Sequence, residues 1–330
     1  MTRNMYPASR GSYISLLMHF FITKCCNIAL TLLLSVLMFW ALPGRAAAEQ
    51  NNVMPTEFRA GFLQAMFHNV DPRDVKAILN MNSLEISGML TQNLPTRVVM
   101  YPDAAALDAA VRRGELEMVS MMALDYLRSS EATHVIPAFV TLENNGLGVR
   151  FALITRIDSG IHSLADLKGK SLLLPPIYSY ETGHLWLEVL LLKGGNGERD
   201  SFFGKVKEVP KASAALIAVF FRQADAALVN VSSFNTSREL NPQLDTQLTV
   251  LVESPYLLNE MVCLPPNTPE HFRSDLINAM IRFNETSKAR QLYTILQTSG
   301  ITRFKPAYLE GVENLYHEYR RLKATTTLKK

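Results

Sequence analysis

The sequence predicts an α/β protein of two lobes, each a mainly parallel sheet flanked by helices. Three observations support this prediction. Short apolar runs alternate with helical patterns, the second half of the chain repeats the order of the first, and no Gly/Ser-rich linker separates the halves. Alternating strands and helices favour parallel sheets with right-handed crossovers. Because no flexible linker is present, we expect strands to join the lobes as a two-strand hinge that closes over a ligand.

In the first half of the chain, capping residues bound the predicted helices. Asp71-Pro72 places a cap and then a proline at the first position of a helix predicted at 72–94. Gly114 ends a helix predicted at 104–113. Apolar runs of strand length separate these helices. They predict strands at 58–62, 97–101 and 116–120.

The second half repeats this order. After a strand at 146–155 come a short helix, a turn at Lys168-Gly169-Lys170 and a buried strand at 171–174. An apolar helix then begins near Thr182. The remaining predicted strands are 206–209, 225–229, 248–252 and 261–264, and the remaining helices are 213–222, 269–282, 285–298 and 306–321.

This order predicts where the lobes divide. We assign residues 49–145 and 253–330 to lobe one, which is discontinuous and includes the C-terminal helices, and residues 146–252 to lobe two. The chain would cross between the lobes near 143–149 and again near 252–258.

Residues 1–48 have the pattern of a cleavable export signal. They carry basic residues and no Asp or Glu, then an apolar core at 28–42 and the small triplet at 46–48. A retained membrane anchor is the alternative, but a spanning helix needs about 20 apolar residues. We therefore predict cleavage after Ala48 and a periplasmic protein; Met18 is an alternative start to Met1.

Charge and cysteine content narrow the class of protein. The formal net charge is +3, but the leader carries four basic residues and no acidic one, so the remainder has a net charge of −1 and does not favour nucleic-acid binding. Beyond the leader, Cys263 is the single cysteine, which excludes an internal disulfide. It lies in an apolar run of strand length, so we expect a buried, unreactive thiol.

No sequence motif predicts catalysis, a cofactor or a metal site. The chain lacks the G-x-x-x-x-G-K, G-x-G-x-x-G and G-x-S-x-G patterns. Its histidines are scattered, with no paired His or Cys at metal-ligand spacing. We therefore predict that the protein is not an enzyme and carries neither metal nor cofactor.

Residues 163–193 carry the most specific pattern in the chain. A strand, a loop and a helix form a crevice at the carboxyl end of a sheet, and the first-turn N–H groups of the helix face that crevice. This segment contains Ser163-Leu-Ala-Asp-Leu-Lys-Gly-Lys170. Residues 110–119 add a helix, a glycine, an acid and a strand, and Gln223-Ala-Asp-Ala-Ala-Leu-Val229 follows.

In these three stretches the chain resembles the phosphate/phosphite/phosphonate-binding family of periplasmic solute-binding proteins of ABC transporters. The resemblance implies the two-lobed type II periplasmic binding fold. It also implies a small-molecule ligand between the lobes, an ABC permease as partner, and a pocket tyrosine at Tyr126.

The sequence departs from that family at the ligand pocket. Where the family usually has Ser-Thr-Ser-Gly at a helix entrance, this chain has Tyr180-Glu181-Thr182-Gly183, and the family's next histidine falls on Ala212. A carboxylate 4 Å from an anion repels it by about 1 kcal/mol in water and by several times that in a cleft. A helix N-terminus stabilises an anion by only about 0.3–2 kcal/mol, which is less than the repulsion in a cleft. We expect the oxyanion pocket to be largely lost, unless Glu181 turns away as a first-turn acid facing water.

The predicted pocket lining consists of aromatic, methionine and hydroxyl side chains with one carboxylate, which suits an organic solute. Its members are Phe62, Met66, Phe67, Ser120, Met121 and Tyr126 from lobe one, and Tyr178, Ser179, Tyr180, Glu181, Thr182 and Ser213 from lobe two. Met66 and Met121 also fit core positions. Two functions stay open: a monomeric receptor for an importer, or a ligand sensor that docks on a sensor kinase.

Overall fold

The computed structural model describes residues 54–67, 71–143, 146–295 and 298–327. The predicted leader and its cleavage site lie outside these residues. Within them, no helix is long and apolar enough to cross a membrane.

Twelve strands and eleven helices form the described part of the chain. The strands are β1 Phe58–Leu63, β2 Thr96–Tyr101, β3 Met118–Met122, β4 Ile136–Glu143, β5 Gly146–Leu147, β6 Phe151–Arg156, β7 Ser171–Leu174, β8 Lys205–Glu208, β9 Ala226–Asn230, β10 Leu248–Glu253, β11 Glu260–Leu264 and β12 Gly300–Arg303. The helices are α1 Pro72–Gly88, α2 Ala104–Arg112, α3 Ala123–Thr133, α4 Ile177–Lys193, α5 Arg199–Phe202, α6 Ala212–Phe220, α7 Val231–Leu240, α8 Pro242–Gln247, α9 Glu270–Asn284, α10 Ser287–Ile295 and α11 Glu310–Thr327.

These strands form two separate sheets, one for each lobe, which confirms the predicted two-lobed α/β fold. The first sheet has the order β12-β4-β11-β3-β1-β2, with β5 added to β4, and the second has the order β10-β6-β9-β7-β8. β1 runs parallel to β2 and β3, and β7 runs parallel to β8 and β9. β11 in the first sheet and β6 in the second are antiparallel to their neighbours, so both sheets are mixed, and the prediction of mainly parallel sheets is wrong.

The chain passes between the sheets twice, and the two passages touch at Gly148. Val149 and Leu257 exchange backbone hydrogen bonds of 2.8 and 2.9 Å. A Cβ at position 148 would lie 2.3 Å from the Leu257 carbonyl oxygen, and Gly148 has a φ of +83°. Only glycine fits both the close approach and the left-handed backbone.

Several predicted boundaries are wrong, each for a local reason. The helix predicted at 72–94 ends at Gly88, because the Ser87 hydroxyl accepts a hydrogen bond from the Leu94 N–H and donates one to its carbonyl oxygen. Leu90 and Leu94 therefore reach the core from a loop rather than a helix. The strand predicted at 146–155 is interrupted at Gly148, so β5 belongs to the first sheet and β6 to the second.

Each lobe has its own buried core, and helix α11 contacts both. It packs against α4, a helix of the second lobe, and against α3 of the first. Its Leu315 packs on apolar clusters of both lobes. Ion pairs continue the contact with the second lobe: Lys193 Nζ lies 3.4 Å from Glu318, and Lys323 Nζ lies 3.0 Å from Glu198.

The predicted buried thiol is confirmed. Cys263 is a free cysteine with no exposed surface, in β11 at the centre of the first sheet. Burial raises the pKa of this thiol well above its ordinary value, which keeps it protonated and unreactive.

Candidate solute-binding site

The carboxyl ends of the parallel strands place polar side chains at one edge of each sheet. In the first sheet, β3 ends at Met122 opposite Glu260, the first residue of β11, and β4 ends at Glu143. In the second sheet, β7 leads into helix α4, and β9 ends at Asn230. Side chains near these two edges contact each other, as described below. We call the space between the two sheet edges the cleft.

Helix α4 enters the cleft with a break in its first turns. Tyr180 has φ −129° and ψ 24°, so the regular part of the helix begins at Glu181, one residue before the position predicted from the sequence. The Tyr180 ring packs edge-on against Phe151, with ring centroids 5.8 Å apart. Its hydroxyl hydrogen-bonds at the start of α7, with the Ser233 side chain and the Asn230 backbone, and burial raises its pKa.

Gly183 lets helix α4 approach the second sheet closely. A Cβ at this position would lie 2.6 Å from Cδ1 of the Phe151 ring, well inside van der Waals contact. Phe151 is 2% exposed. The glycine is therefore needed for packing, not for a left-handed backbone, and it fixes where Glu181 and Thr182 lie.

An ion pair joins the two lobes at the start of α4. The Arg128 guanidinium, on α3, donates to Glu181 Oε1 at 2.6 Å and to Asp125 Oδ1 at 3.3 Å. Burial, with a smaller contribution from the nearby Glu181 charge, raises the pKa of Asp125 to about 6. Glu181 thus faces the first lobe, and its negative charge is paired with Arg128.

Two further contacts join the lobes in the same region. The Thr182 hydroxyl lies 3.4 Å from Oδ1 of Asn259, and the Asn259 carbonyl oxygen accepts the first backbone N–H of α3, from Ala123, at 2.8 Å. Leu185, one turn further along α4, packs into a core cluster of the first lobe. The start of α4 therefore contacts both lobes.

The predicted lobe-one residues fall into two groups. Phe62, Ser120 and Met121 lie within strands and are 8%, 6% and 1% exposed, so they form the sheet beneath the cleft. Met66, Phe67 and Tyr126 are half-buried beyond the strand ends. The turn Gln64–Phe67 contacts α4, and Tyr126 lies on α3 beside Asp125. The second group thus lies beyond the strand ends and packs on the apolar clusters of the first lobe.

The predicted lobe-two residues are mostly gathered at the start of α4. Tyr178 and Ser179 lie in its first turn, before the break at Tyr180, and Thr182 is 1% exposed. Ser213 is separate from them. It is exposed at the second position of α6, a helix that packs on α7 and on strands of the second sheet.

A cavity of about 120 Å³ lies where the chain passes between the two sheets, beside Gly148 and Tyr256; we call this region the hinge. Glu143 from β4, the hinge residues Gly148, Val149, Arg150 and Tyr256, and Val231, Ser232 and Asn235 from helix α7 line it. Arg150 is engaged by Glu253, with which it forms an ion pair, and its guanidinium lies 4.8 Å above the Tyr256 ring.

Two carboxyl groups at this end of the first sheet have strongly raised pKa values. Burial, with repulsion from Glu260, raises the pKa of Glu143 to about 8. Burial raises the pKa of Glu260 to about 7. Both side chains nevertheless keep some exposed surface, as expected of residues on the floor of a cleft.

Sequence reasoning missed Arg128, Asp125, Asn259, Glu143 and Glu260. Helix α3 and strand β4 were not predicted, so the first two and Glu143 had no assigned position. For the glutamates a signal was present: each is a single acid that adjoins an apolar strand-like run, at 136–142 and 261–264. Acids at such positions are candidates for sites at sheet edges.

The comparison with known families decides the class of this protein. Residues 68–310 match the family model described as ABC transporter, phosphonate, periplasmic substrate-binding protein. The chain belongs to this family. It is therefore a periplasmic substrate-binding protein of the ABC-transporter type, from a family of solute-binding proteins that work with an ABC permease.

Solved structures agree on the fold. A Xanthomonas citri protein bound to ATP matches with a TM-score of 0.61 at 16% identity, over 82% of this chain and 99% of that one. The binding protein of an ABC phosphonate transporter from Pseudomonas aeruginosa matches with a TM-score of 0.59 at 17% identity, over 83% and 89%. PhnD1 from Prochlorococcus marinus in complex with methylphosphonate matches with a TM-score of 0.58 at 15% identity, over 82% and 99%. No curated protein matches the chain.

Proposed function

We propose that the protein binds a small organic solute in the cleft, presents it to an ABC permease, and does not take phosphate or simple phosphonates as ligands. The observation that carries this proposal is the position of Glu181. Its carboxylate stands at the start of the regular part of α4, where the family resemblance places an oxyanion, and Arg128 is already bound to it.

An incoming phosphonate would meet unfavourable electrostatics at this position. Two unit charges 4 Å apart repel by about 1 kcal/mol in water and by about 4 kcal/mol at the effective dielectric of a protein surface. The favourable interaction of the anion with the helix N-terminus would contribute only about 0.3–2 kcal/mol. The anion could gain Arg128 only by breaking the 2.6 Å contact with Glu181, and Asp125 lies beside the same guanidinium.

The other groups near the cleft favour an organic molecule. Half-buried Met66, Phe67 and Tyr126 offer apolar and aromatic surface, and Asn235 and Ser232 add polar groups in the hinge cavity. Apolar walls with a few polar groups are typical of sites for organic ligands.

Calorimetry with phosphate and methylphosphonate tests the anion part of the proposal. We expect no measurable binding of either to the protein, and weak binding to Glu181→Ser, which removes the repelling charge. Glu239→Ser, at an exposed position on α7, is the matched control and should behave as the parent protein. Micromolar affinity of the parent protein for either anion would contradict the proposal.

Scattering and mass spectrometry test the solute-binding part. Protein exported by its native host should release a small molecule on denaturation, and adding that molecule back should lower the radius of gyration. A protein that binds nothing from a whole metabolite extract, with an unchanged radius, would overturn solute binding itself. The sensor-kinase alternative stays a prediction, since no described feature favours it.

A further inference from the structure

One arginine is shared by carboxylates of both lobes. The Arg128 guanidinium, in the first lobe, donates to Glu181 Oε1 of the second lobe at 2.6 Å and to Asp125 Oδ1 of its own helix at 3.3 Å. The two carboxylates therefore compete for a single positive charge. Asp125 can pair with Arg128 whether the lobes are together or apart, whereas Glu181 can do so only when they are together.

The position of this ion pair sets it apart from the other described ion pairs between the lobes. Those pairs join α11 to Lys193, at the far end of α4, and to Glu198 beyond it. The Arg128 pair lies instead at the start of the regular part of α4, beside the cleft. The side chains of Arg128 and Glu181 are 41% and 27% exposed, so water can replace the contact when the lobes separate.

The surroundings of Asp125 are mainly acidic. Glu181 approaches it from α4, and Asp108 approaches it from α2. Among the described residues, Arg128 is the cation that faces it, and the Tyr316 side chain, from α11, faces the same arginine. Three carboxyl groups thus surround one guanidinium. The side chain of Asp125 is only 16% exposed, so a proton on this residue relieves both its burial and the repulsion.

We infer that Arg128 and Glu181 form a latch that holds the lobes together, and that Asp125 weakens this latch unless it carries a proton. Protonated Asp125 neither draws the guanidinium away nor repels the Glu181 carboxylate. Ionised Asp125 does both, and so favours separated lobes. Arg128 acts on the cleft through Glu181, which makes it a positioning residue. The latch works in the protein without solute, whatever solute the cleft holds.

Closure of the lobes should therefore take up a proton at Asp125. Burial, with the nearby Glu181 charge, raises the pKa of Asp125 to about 6 when the lobes are together. When they separate, Glu181 moves away and the pKa falls toward its ordinary value of 3.8. Because the form with the higher pKa binds more protons, acid favours the closed form. Between pH 7 and pH 5 we expect the ratio of closed to open molecules to rise roughly two- to fivefold.

Electron spin resonance between two labels measures the separation of the lobes in the exported protein without solute. Cysteines that carry the labels replace Ala105, exposed on α2 of the first lobe, and Ala214, exposed on α6 of the second. Cys263 is buried and does not take a label. The distance distribution, recorded from pH 5 to pH 8, gives the ratio of closed to open molecules.

Variants of the three residues should have effects of opposite sign. Arg128→Gln and Glu181→Gln should each lower the closed-to-open ratio at pH 5 roughly two- to fivefold, the size expected of a partly exposed ion pair. The double variant should match either single variant, since both remove the same contact. Asp125→Asn should raise the ratio at pH 7 and abolish its pH dependence, because an amide carries no competing charge. As a matched control, Arg113→Gln breaks the ion pair with Glu115 inside the first lobe and should leave the ratio unchanged.

The outcomes are distinct from those that test solute binding. A ratio that neither Arg128→Gln nor Glu181→Gln changes would overturn the latch, and thermal unfolding checks that these variants are folded. A pH dependence that survives Asp125→Asn would overturn the role of Asp125. Either result leaves the proposed function standing. Conversely, tight binding of phosphate or methylphosphonate would contradict the proposed function, while the ratios in the solute-free protein would still support the latch.

Discussion

The contact between Gly183 and Phe151 gives the sharpest prediction of the effect of a single methyl group. In Gly183→Ala the new Cβ would lie 2.6 Å from ring carbon Cδ1, and van der Waals contact begins at 3.4 Å, so helix or ring must retreat by about 0.8 Å. Phe151 cannot retreat freely, because it is 2% exposed and packs against the Tyr180 ring.

The expected loss of stability follows from two opposing effects. Overpacking a well-filled core costs about 1–3 kcal/mol. Replacing glycine by alanine inside a helix returns up to about 1 kcal/mol. We therefore expect Gly183→Ala to lower the free energy of unfolding by about 1–2 kcal/mol, which chemical denaturation measures directly.

A matched control and a rescue make this test decisive. Gly88, the last residue of α1, has no atom within 4 Å of its Cβ position, so Gly88→Ala should be neutral or slightly stabilising. In a Phe151→Leu background the smaller side chain leaves room, and Gly183→Ala should cost less than it does in the parent protein. Equal effects of the alanine at 88 and 183, or no coupling with Phe151, would refute the packing argument.

Two other predictions concern the hinge and the acidic pair. Glu143 and Glu260 have pKa values raised from 4.5 to about 8 and about 7, so their contribution to stability is complete below pH 4.5 and is lost as the pH rises through 7 to 8. For each group, every unit between its pKa in the unfolded chain and its raised pKa in the folded protein corresponds to about 1.4 kcal/mol of folding free energy. Taken in full, the two gaps would amount to about 8 kcal/mol, but both side chains keep exposed surface, and solvent screening reduces the expected loss for the ligand-free protein to about 2–5 kcal/mol. The double Gln variant should show a flatter pH profile; an equally steep profile for the variant would contradict the assignment. Gly148→Ala places a methyl group 2.3 Å from the Leu257 carbonyl oxygen, and we expect at least about 2 kcal/mol of destabilisation in the same denaturation assay, with wild-type stability as the contradicting result.

Local chemistry made much of the fold predictable. The turn at Gly169, with a φ of +74°, and the apolar run after it give β7 at the predicted residues 171–174. Asp71 caps α1 as predicted, its side chain accepting the Arg73 N–H at 2.8 Å. Strand β4 was missed because Pro137 and the polar residues at its end obscure the alternation of apolar and polar side chains. A strand tolerates proline at an irregularity, and Pro137 lies beside the register shift between β4 and β11.

The chemistry of the cleft was far less predictable. Glu181 was identified as the decisive residue, but its partner Arg128 is 53 positions away on a helix that the pattern did not reveal. Glu143 and Glu260 become neighbours only because β11 inserts between β3 and β4 late in the chain. Such pairings depend on sheet order, which local periodicity does not encode.

Helix α11 bridges the two lobes. Because Leu315 belongs to the apolar contacts of both lobes and Glu318 and Lys323 bind the second lobe, a rotation that separates the sheets must slide this helix across one of them. We therefore expect this helix to resist separation of the two lobes. We expect a chain shortened before Glu310 to lose these contacts, so that its lobes separate more readily.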